Sequence, residues 1–350
     1  MLPTRHLVIH DQQLALLNKD VWSDQFVNAF LISNGISESI KVRYRGGHTR
    51  EYHKKSYEMI RGGRTYHLNA EYDDPSMIRN ALSFRFFRSI GVPSPHTQHC
   101  QLKLNGENKG VYLEIEAVDW NFFKRRQIHA HSLFYAVNDS ADFWLINPNT
   151  KRKKKTLLEG YKLIIGKSQH KTELQGFISQ INARSNKSLF HYLNAHLDVD
   201  NYLKWLAGAV CTGNFDGFDQ NYAIYLHKPS KLYRIIPWDY EGTWGRNCYG
   251  KVCGSDLVRI TGYNRLTRKL LEFPSIRQRY KQILVSILST SFTRKNLAPV
   301  INELHESVAP YMAYDFERKW PYSEFTDEPQ LILNYIRERR KIILRDLKKL

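Results

Sequence analysis

The sequence predicts an α+β protein in two lobes, a β-rich N-terminal lobe over residues 1–117 and a mostly helical C-terminal lobe over residues 118–350. Three observations predict it. Ile40, Val42 and Tyr44 alternate with Lys41, Arg43 and Arg45 at the period of a half-buried strand. Tyr202, Leu203, Trp205, Leu206, Ala209 and Val210 recur at the spacing of an amphipathic helix. The chain has 350 residues, beyond the roughly 250–300 at which a single core stops growing.

In order along the chain, Ile40–Arg45 opens the β-rich part, and Arg45-Gly46-Gly47-His48 forms a loop before a strand over Ser56–Ile60. Asp74 is placed to cap a helix with Pro75 in its first turn, and Ile78, Leu82 and Phe86 give it an apolar stripe. Gln98–Leu104 and Val111–Glu116 read as paired strands around the turn-rich Asn105–Gly110, and the lobe boundary is set just after them, near residue 117. Lys151-Arg152-Lys153-Lys154-Lys155 is an exposed loop. A helix after Asp200 ends near Gly213, and strands Tyr222–Leu226 and Leu232–Ile236 flank the turn His227–Lys231. Helices are expected over Ile276–Leu288, Leu297–Val308 and Leu331–Leu350, the last rich in the Arg and Lys that suit a helix C-terminus.

Composition bounds the chemistry. Hydrophobic residues make up 42% and aromatics 13%, as in a folded globular protein. Fifty-two Lys and Arg against 34 Asp and Glu give a formal charge of +18, which favours polyanionic partners without choosing among them. Four cysteines build no disulfide framework: Cys100 and Cys211 lie in apolar stretches, and Cys248 and Cys253 lack the histidine spacing of a zinc site. The usage suits a reducing compartment. Met1–Gln13 lacks the apolar core of a signal peptide, and no window approaches the roughly 20 apolar residues of a membrane span. The expectation is a cytoplasmic protein at synthesis, with no membrane partner.

The most informative stretch is Thr212-Gly213-Asn214-Phe215-Asp216-Gly217-Phe218-Asp219-Gln220-Asn221, a loop between a helix end and a strand. An antiparallel hairpin returns its end beside its start. Asp239, just after the second strand, is therefore expected close to Asn221 and Asp216. Three oxygen-bearing side chains would then converge, as a hard divalent cation requires. The order matches a protein-kinase catalytic centre: an Asp, an Asn five positions on, a short hairpin, and a second Asp. Asn214-Phe215 stands where such kinases carry His-Arg, and Tyr240-Glu241 where they carry Phe-Gly.

Further segments extend the pattern: Tyr44-Arg45-Gly46-Gly47-His48-Thr49-Arg50, Lys54-Lys55-Ser56-Tyr57, His67-Leu68-Asn69-Ala70-Glu71-Tyr72, Met77-Ile78-Arg79-Asn80, Gly110-Val111-Tyr112-Leu113-Glu114 and Ile236-Pro237-Trp238-Asp239-Tyr240. On these, with Asn214–Phe218, the chain resembles the CotH family of spore-coat kinases across nearly its full length. The resemblance implies an atypical protein-kinase-like fold with a distorted small lobe. It implies ATP and Mg²⁺ (or Mn²⁺), phosphorylation of Ser or Thr on Ser-rich spore-coat proteins, and a place in the spore coat. On this carry-over Asp216 is the catalytic residue, and Asp239, Asn221 and Gln220 hold the metal.

Candidate nucleotide contacts are Lys55, Arg79, Glu116, Trp244 and Arg246. If the Ser56–Ile60 strand extends back to Lys54, Lys55 shares the inward face of Tyr57 and Met59, where a lysine needs an anion. Arg79 borders its helix's apolar face and reaches either a phosphate or a salt bridge to Glu71 or Asp73. Glu116 ends a strand near the lobe boundary, facing nucleotide or solvent. Trp244 either stacks on a base or lies in the core, and Arg246 is placed to meet phosphate. Two other function classes compete. A metal-dependent phosphodiesterase or nuclease suits the carboxylates and the charge, but no further acidic motif or positioned His base accompanies them, and nucleic acid is not the expected partner. A noncatalytic coat-assembly scaffold has no physical need for Asp216, Asn221 and Asp239 at one point.

Overall fold

The computed structural model describes residues 1–350 and is α+β. Its elements in chain order are β1 (Thr4–Val8), α1 (Asp11–Lys19), β2 (Val27–Ser33), β3 (Ile36–Arg45), β4 (Ser56–Arg61), β5 (Arg64–Asn69), α2 (Arg79–Ser89), β6 (Thr97–Leu104) and β7 (Glu107–Glu116). There follow α3 (Trp120–Arg125), β8 (Ala130–Ala136), β9 (Tyr161–Ile165), α4 (Ser168–Ala183), α5 (Asn186–His196), α6 (Val199–Thr212), β10 (Tyr222–His227) and β11 (Leu232–Pro237). Four helices complete the chain: α7 (Arg265–Leu270), α8 (Pro274–Ser289), α9 (Arg294–Met312) and α10 (Tyr322–Asp346). No helix is long and apolar enough to cross a membrane.

The chain forms two compact units. One comprises Met1–Leu82, Pro95–Ala117 and Pro299–Gln330, the other Ser83–Ser94, Val118–Ala298 and Leu331–Leu350. The first unit is built on a closed seven-stranded barrel in the order β1-β2-β3-β4-β5-β7-β6, shut by the parallel pairing of β1 with β6. Closure removes the open edge that a sheet otherwise exposes. Period-two alternation fills the interior. Val42 and Tyr44 of β3, Tyr57 and Met59 of β4, and Leu31 of β2 are buried in one apolar cluster, while Lys41 is exposed.

The segment Pro299–Gln330 returns to this unit through charged pairs. The Lys54 ammonium donates to the Asp315 carboxylate at 2.9 Å and to the Val111 carbonyl at 2.8 Å, and Asp315 also accepts the Val111 N–H. Arg79 lies between Asp74 and Glu328, and Lys319 pairs with Asp73. The Lys54, Asp315, Arg79, Asp74 and Glu328 side chains are almost wholly shielded from solvent.

The helix expected from Asp74 begins later, at Arg79. Met77 stands at a φ of +61°, which a continuous right-handed helix does not allow. Asp74 still serves the start: its carboxylate accepts the N–H groups of Ser76 and Arg79 across the intervening turn. The second unit is less purely helical than the sequence suggests, because β8 and β9 join the expected hairpin in a four-stranded sheet, β11-β10-β8-β9. The α6 helix is buried along nearly its whole length, through Tyr202, Leu203, Trp205, Leu206, Ala209 and Val210.

Candidate active site

The site is built where α6 ends. Asp198 caps the start of that helix by accepting the Asn201 N–H, and Gly213 ends it at a φ of +75°. A left-handed C-terminal residue of this kind is cheapest as glycine. Here a Cβ would also fall 2.4 Å from the Tyr335 hydroxyl oxygen, which itself donates to the Cys211 carbonyl. The chain then turns through a short 3₁₀ segment, Asp216–Phe218.

Asn214 organises this turn. It is buried, its Oδ1 accepts the Gly217 N–H at 2.9 Å, and its Nδ2 donates to the Asp239 carbonyl at 3.4 Å. One amide side chain thus ties the loop carrying Asp216 to the loop carrying Asp239. Gly217 is required by closeness: a Cβ there would lie 2.8 Å from Asn214 Cγ.

The hairpin supplies the rest. Tyr222 pairs with Pro237 at its open end, and beyond that pair the Trp238 N–H donates to the Asn221 carbonyl at 3.1 Å. Asn221 and Asp239 therefore flank the same end of the hairpin, at φ values of +59° and +56°. Such conformations cost energy for residues other than glycine, although Asn and Asp tolerate them best. The Gln220 N–H returns to the Asp216 carbonyl.

Negative charge gathers around this loop. Asp219 is pushed up to about 7, first by burial and then by Asp142 and Asp139, with Asp216 adding to the effect and Lys154 opposing it. Its Oδ1 is shielded from solvent and has no hydrogen-bond partner. The Cys248 thiol, a neighbour the sequence did not flag, is pushed up to about 12 by burial and by the Asp216 carboxylate, to which it donates. Carboxylates gathered in this way, with the amide side chains of Gln220 and Asn221 next in the chain, fit a hard divalent cation such as Mg²⁺.

The other sequence candidates are placed differently. Trp244 is fully buried among Phe86, Phe292 and Tyr335, its indole N–H donating to Ser83 Oγ at 2.8 Å, so its ring belongs to the core and not to a base. Arg246 is buried as well and donates to the Gly250 carbonyl, closing its own loop. Arg79 is paired with Asp74 and Glu328, while Glu71 accepts from Asn80 and Asp73 pairs with Lys319. Glu116 is buried and accepts the His96 N–H.

The two lysines exchange the places the alternation gave them. Lys54 is the buried one, beside the Tyr112 ring, and burial is the main cause lowering its pKa. Lys55 is half-buried, donates to the Arg50 carbonyl at 2.6 Å and makes no ion pair. The strand starts at Ser56, so its alternation does not reach back to residue 54.

A second cluster of potential ligands lies in the same unit. His131, His170 and Glu173 bring one ligand atom each within 4.8 Å of one another. His170 Nδ1 accepts the Lys167 N–H, so its Nε2 carries the proton and donates to His131 Nε2 at 3.0 Å. The pair caps α4 against β8, and the lone pair a metal would need on His170 Nε2 is taken by that proton.

The family model described as CotH kinase protein matches residues 42–343. Inner spore coat protein H of Bacillus subtilis (strain 168) is 39% identical over 350 residues, covering 98% of this chain and 96% of that one. An inner spore coat protein H-like protein of the same organism is 29% identical over 303 residues, covering 85% of this chain and 87% of that one. Among solved structures, the Helicobacter pylori proinflammatory kinase CtkA aligns with a TM-score of 0.35 and 10% identity over 84% of this chain and 93% of that chain.

Proposed function

From the chain's membership of the CotH kinase protein family, we propose that it is an ATP- and divalent-metal-dependent protein kinase that phosphorylates Ser or Thr of spore-coat proteins during coat assembly. The observation that carries the reading is Asn214, which joins the Asp216 loop to the Asp239 loop beside the open end of the hairpin that holds Asn221. The kinase order of Asp, Asn and Asp along the chain thereby becomes a neighbourhood in space.

In this reading Asp216 orients the acceptor hydroxyl and takes its proton as the oxygen attacks the γ-phosphorus and the bond to ADP breaks. Asp239, Asn221 and Gln220 hold Mg²⁺ or Mn²⁺, which when bound neutralises phosphate charge. Cys248 limits the freedom of the Asp216 carboxylate by donating to it. Lys55 is the phosphate contact of the first unit, because its ammonium is accepted by a carbonyl and has no carboxylate partner, whereas Lys54 and Arg79 are each paired with one. Under-neutralised carboxylates are a liability for stability, which favours an enzyme over a scaffold.

The test is transfer of label from γ-labelled ATP to a Ser-rich coat protein under a Mg²⁺ or Mn²⁺ titration, for the wild type and Asp239→Asn. Metal-dependent labelling that shifts to higher metal concentration, or vanishes, in the variant supports the assignment. Equal labelling by both, at every metal concentration, refutes the metal site.

A further inference from the structure

The basic run Lys151-Arg152-Lys153-Lys154-Lys155 plays no part in phosphotransfer as described, and the fold separates its cations into two kinds. Lys154 is buried, and its ammonium donates to the Ser140 carbonyl and, at 2.6 Å, to the Asp142 carboxylate. Lys151, Arg152, Lys153 and Lys155 are exposed and make no ion pair. The segment is a formed hairpin: Ile146 pairs with Lys153, the Lys154 N–H meets the Leu145 carbonyl at 2.9 Å, and the Asn147 N–H meets the Arg152 carbonyl at 2.8 Å. Asn147 Oδ1 accepts the N–H groups of Asn149 and Thr150 and fixes the turn.

Lys151 sits in this turn at a φ of +57°, a conformation that glycine or asparagine adopts at lower cost. The turn does not call for a lysine there. The root of the same hairpin lies against β10: the Tyr222 hydroxyl, next to Asn221 in the chain, donates to the Ala141 carbonyl at 2.5 Å, and beside Ala141 the Asp142 carboxylate is gripped by Lys154. One folded loop therefore carries a carboxylate at its root, against β10, and unpaired positive charge at its tip.

We infer that the tip formed by Lys151, Arg152, Lys153 and Lys155 docks a segment of the protein acceptor already phosphorylated on serine, while a second serine further along that segment reaches Asp216. The inference rests on the reading of Asp216 as catalytic. The carboxylate at the root disfavours anionic residues next to the acceptor hydroxyl, so the preferred negative charge lies several residues away. A phosphoserine brings nearly two charges and three acceptor oxygens to a set of unpaired cations. Each phosphorylation of a serine-rich segment would then assist the next.

The test uses the full chain and three peptides that share one acceptor serine: one with neutral flanks, one with distal glutamates, and one with distal phosphoserines. Binding is read by fluorescence anisotropy without nucleotide, and kcat and KM with ATP and Mg²⁺, for the wild type and for K151E/R152E/K153E checked by circular dichroism. Anionic peptides are expected to bind about tenfold more tightly than the neutral one at low salt, the scale of several exposed ion pairs. That ratio should shrink with salt, fall to near one in the triple variant, and appear in KM. The phosphoserine peptide should bind the most tightly of the three, and a glutamate peptide that binds as tightly overturns the assignment to phosphoserine. Equal binding of all three peptides, or a preference that survives the triple variant, overturns the inference. A triple variant that raises KM for ATP and leaves the peptide ratio unchanged also overturns it, because the tip then serves nucleotide. If the anisotropy preference holds and no peptide is phosphorylated, the docking surface stands and the kinase reading fails.

Discussion

Lys54 and Asp219 are both shielded charges, and the protein treats them in opposite ways. In the barrel unit, Lys54 meets Asp315 and Arg79 meets Asp74 and Glu328, so each buried cation is matched by a carboxylate. In the second unit, Asp139, Asp142, Asp216 and Asp219 gather with Lys154 as the opposing cation. Buried charge in the barrel unit is neutralised within the fold, whereas the carboxylates around Asp219 outnumber the cation that opposes them. The difference sorts candidates by what already surrounds them, which residue type alone does not do.

The contrast can be broken or sharpened by mutation. The largest expected effect is on the second unit's chemistry. Asp216→Asn should lower kcat at least about 10²-fold, the scale of a lost general base, with an unchanged circular dichroism spectrum and melting temperature.

Next in size is the barrel unit's matched charge. Lys54→Met leaves the Asp315 carboxylate buried without its cation, and should cost about 3–5 kcal/mol by urea denaturation. Lys54→Met combined with Asp315→Leu should recover most of that loss, since removing both charges also removes the desolvation cost. A double variant as unstable as the single one would show that the pair is more than a matched charge.

Asp219 gives the opposite sign. The folded state holds its proton more tightly than the unfolded chain, so the stability this group contributes is present below about pH 4 and is lost as pH rises through about 7. With divalent metal chelated, Asp219→Asn should therefore stabilise the protein by about 2 kcal/mol at pH 8, with the gain fading toward pH 4. Added Mg²⁺ should narrow the difference. A variant less stable than wild type at pH 8 would mean that Asp219 is already neutralised within the protein.

The smallest effect is that of Asn214→Ala, which removes the tie between the two loops. A loss of about 1–2 kcal/mol in stability is expected from the Gly217 hydrogen bond, with a fall in kcat read from steady-state rates.

What the sequence revealed follows the range of the interactions involved. The β10–β11 hairpin, its turn, and the closeness of Asn221 to Asp239 were legible, because strand alternation and a five-residue link are local. The burial of α6 was legible for the same reason. The return of Pro299–Gln330 to the barrel unit was not, since Lys54 and Asp315 stand 261 positions apart and nothing local marks them as partners. Lys55 was given the inward face on the premise that β4 runs through residue 54, and the irregular chain before Ser56 breaks that parity. Trp244 and Arg246 looked available because they follow Asp239 closely in sequence, but the chain turns there into an aromatic cluster. Asn214 was noted only as a departure from the usual His-Arg, and its joining role depends on two loops meeting. Strands β1, β2, β5, β8 and β9 were not legible, their short alternations giving too little signal alone.

The most direct measurement of the central claim is mass-spectrometric counting of phosphate on Ser and Thr of a coat-protein acceptor after incubation with ATP and Mg²⁺, comparing wild type with Asp216→Asn. The account predicts phosphorylated residues with the wild type and none above background with a folded Asp216→Asn protein. Equal phosphorylation by the two proteins would contradict it, and would place the chemistry elsewhere than the loop between α6 and β10.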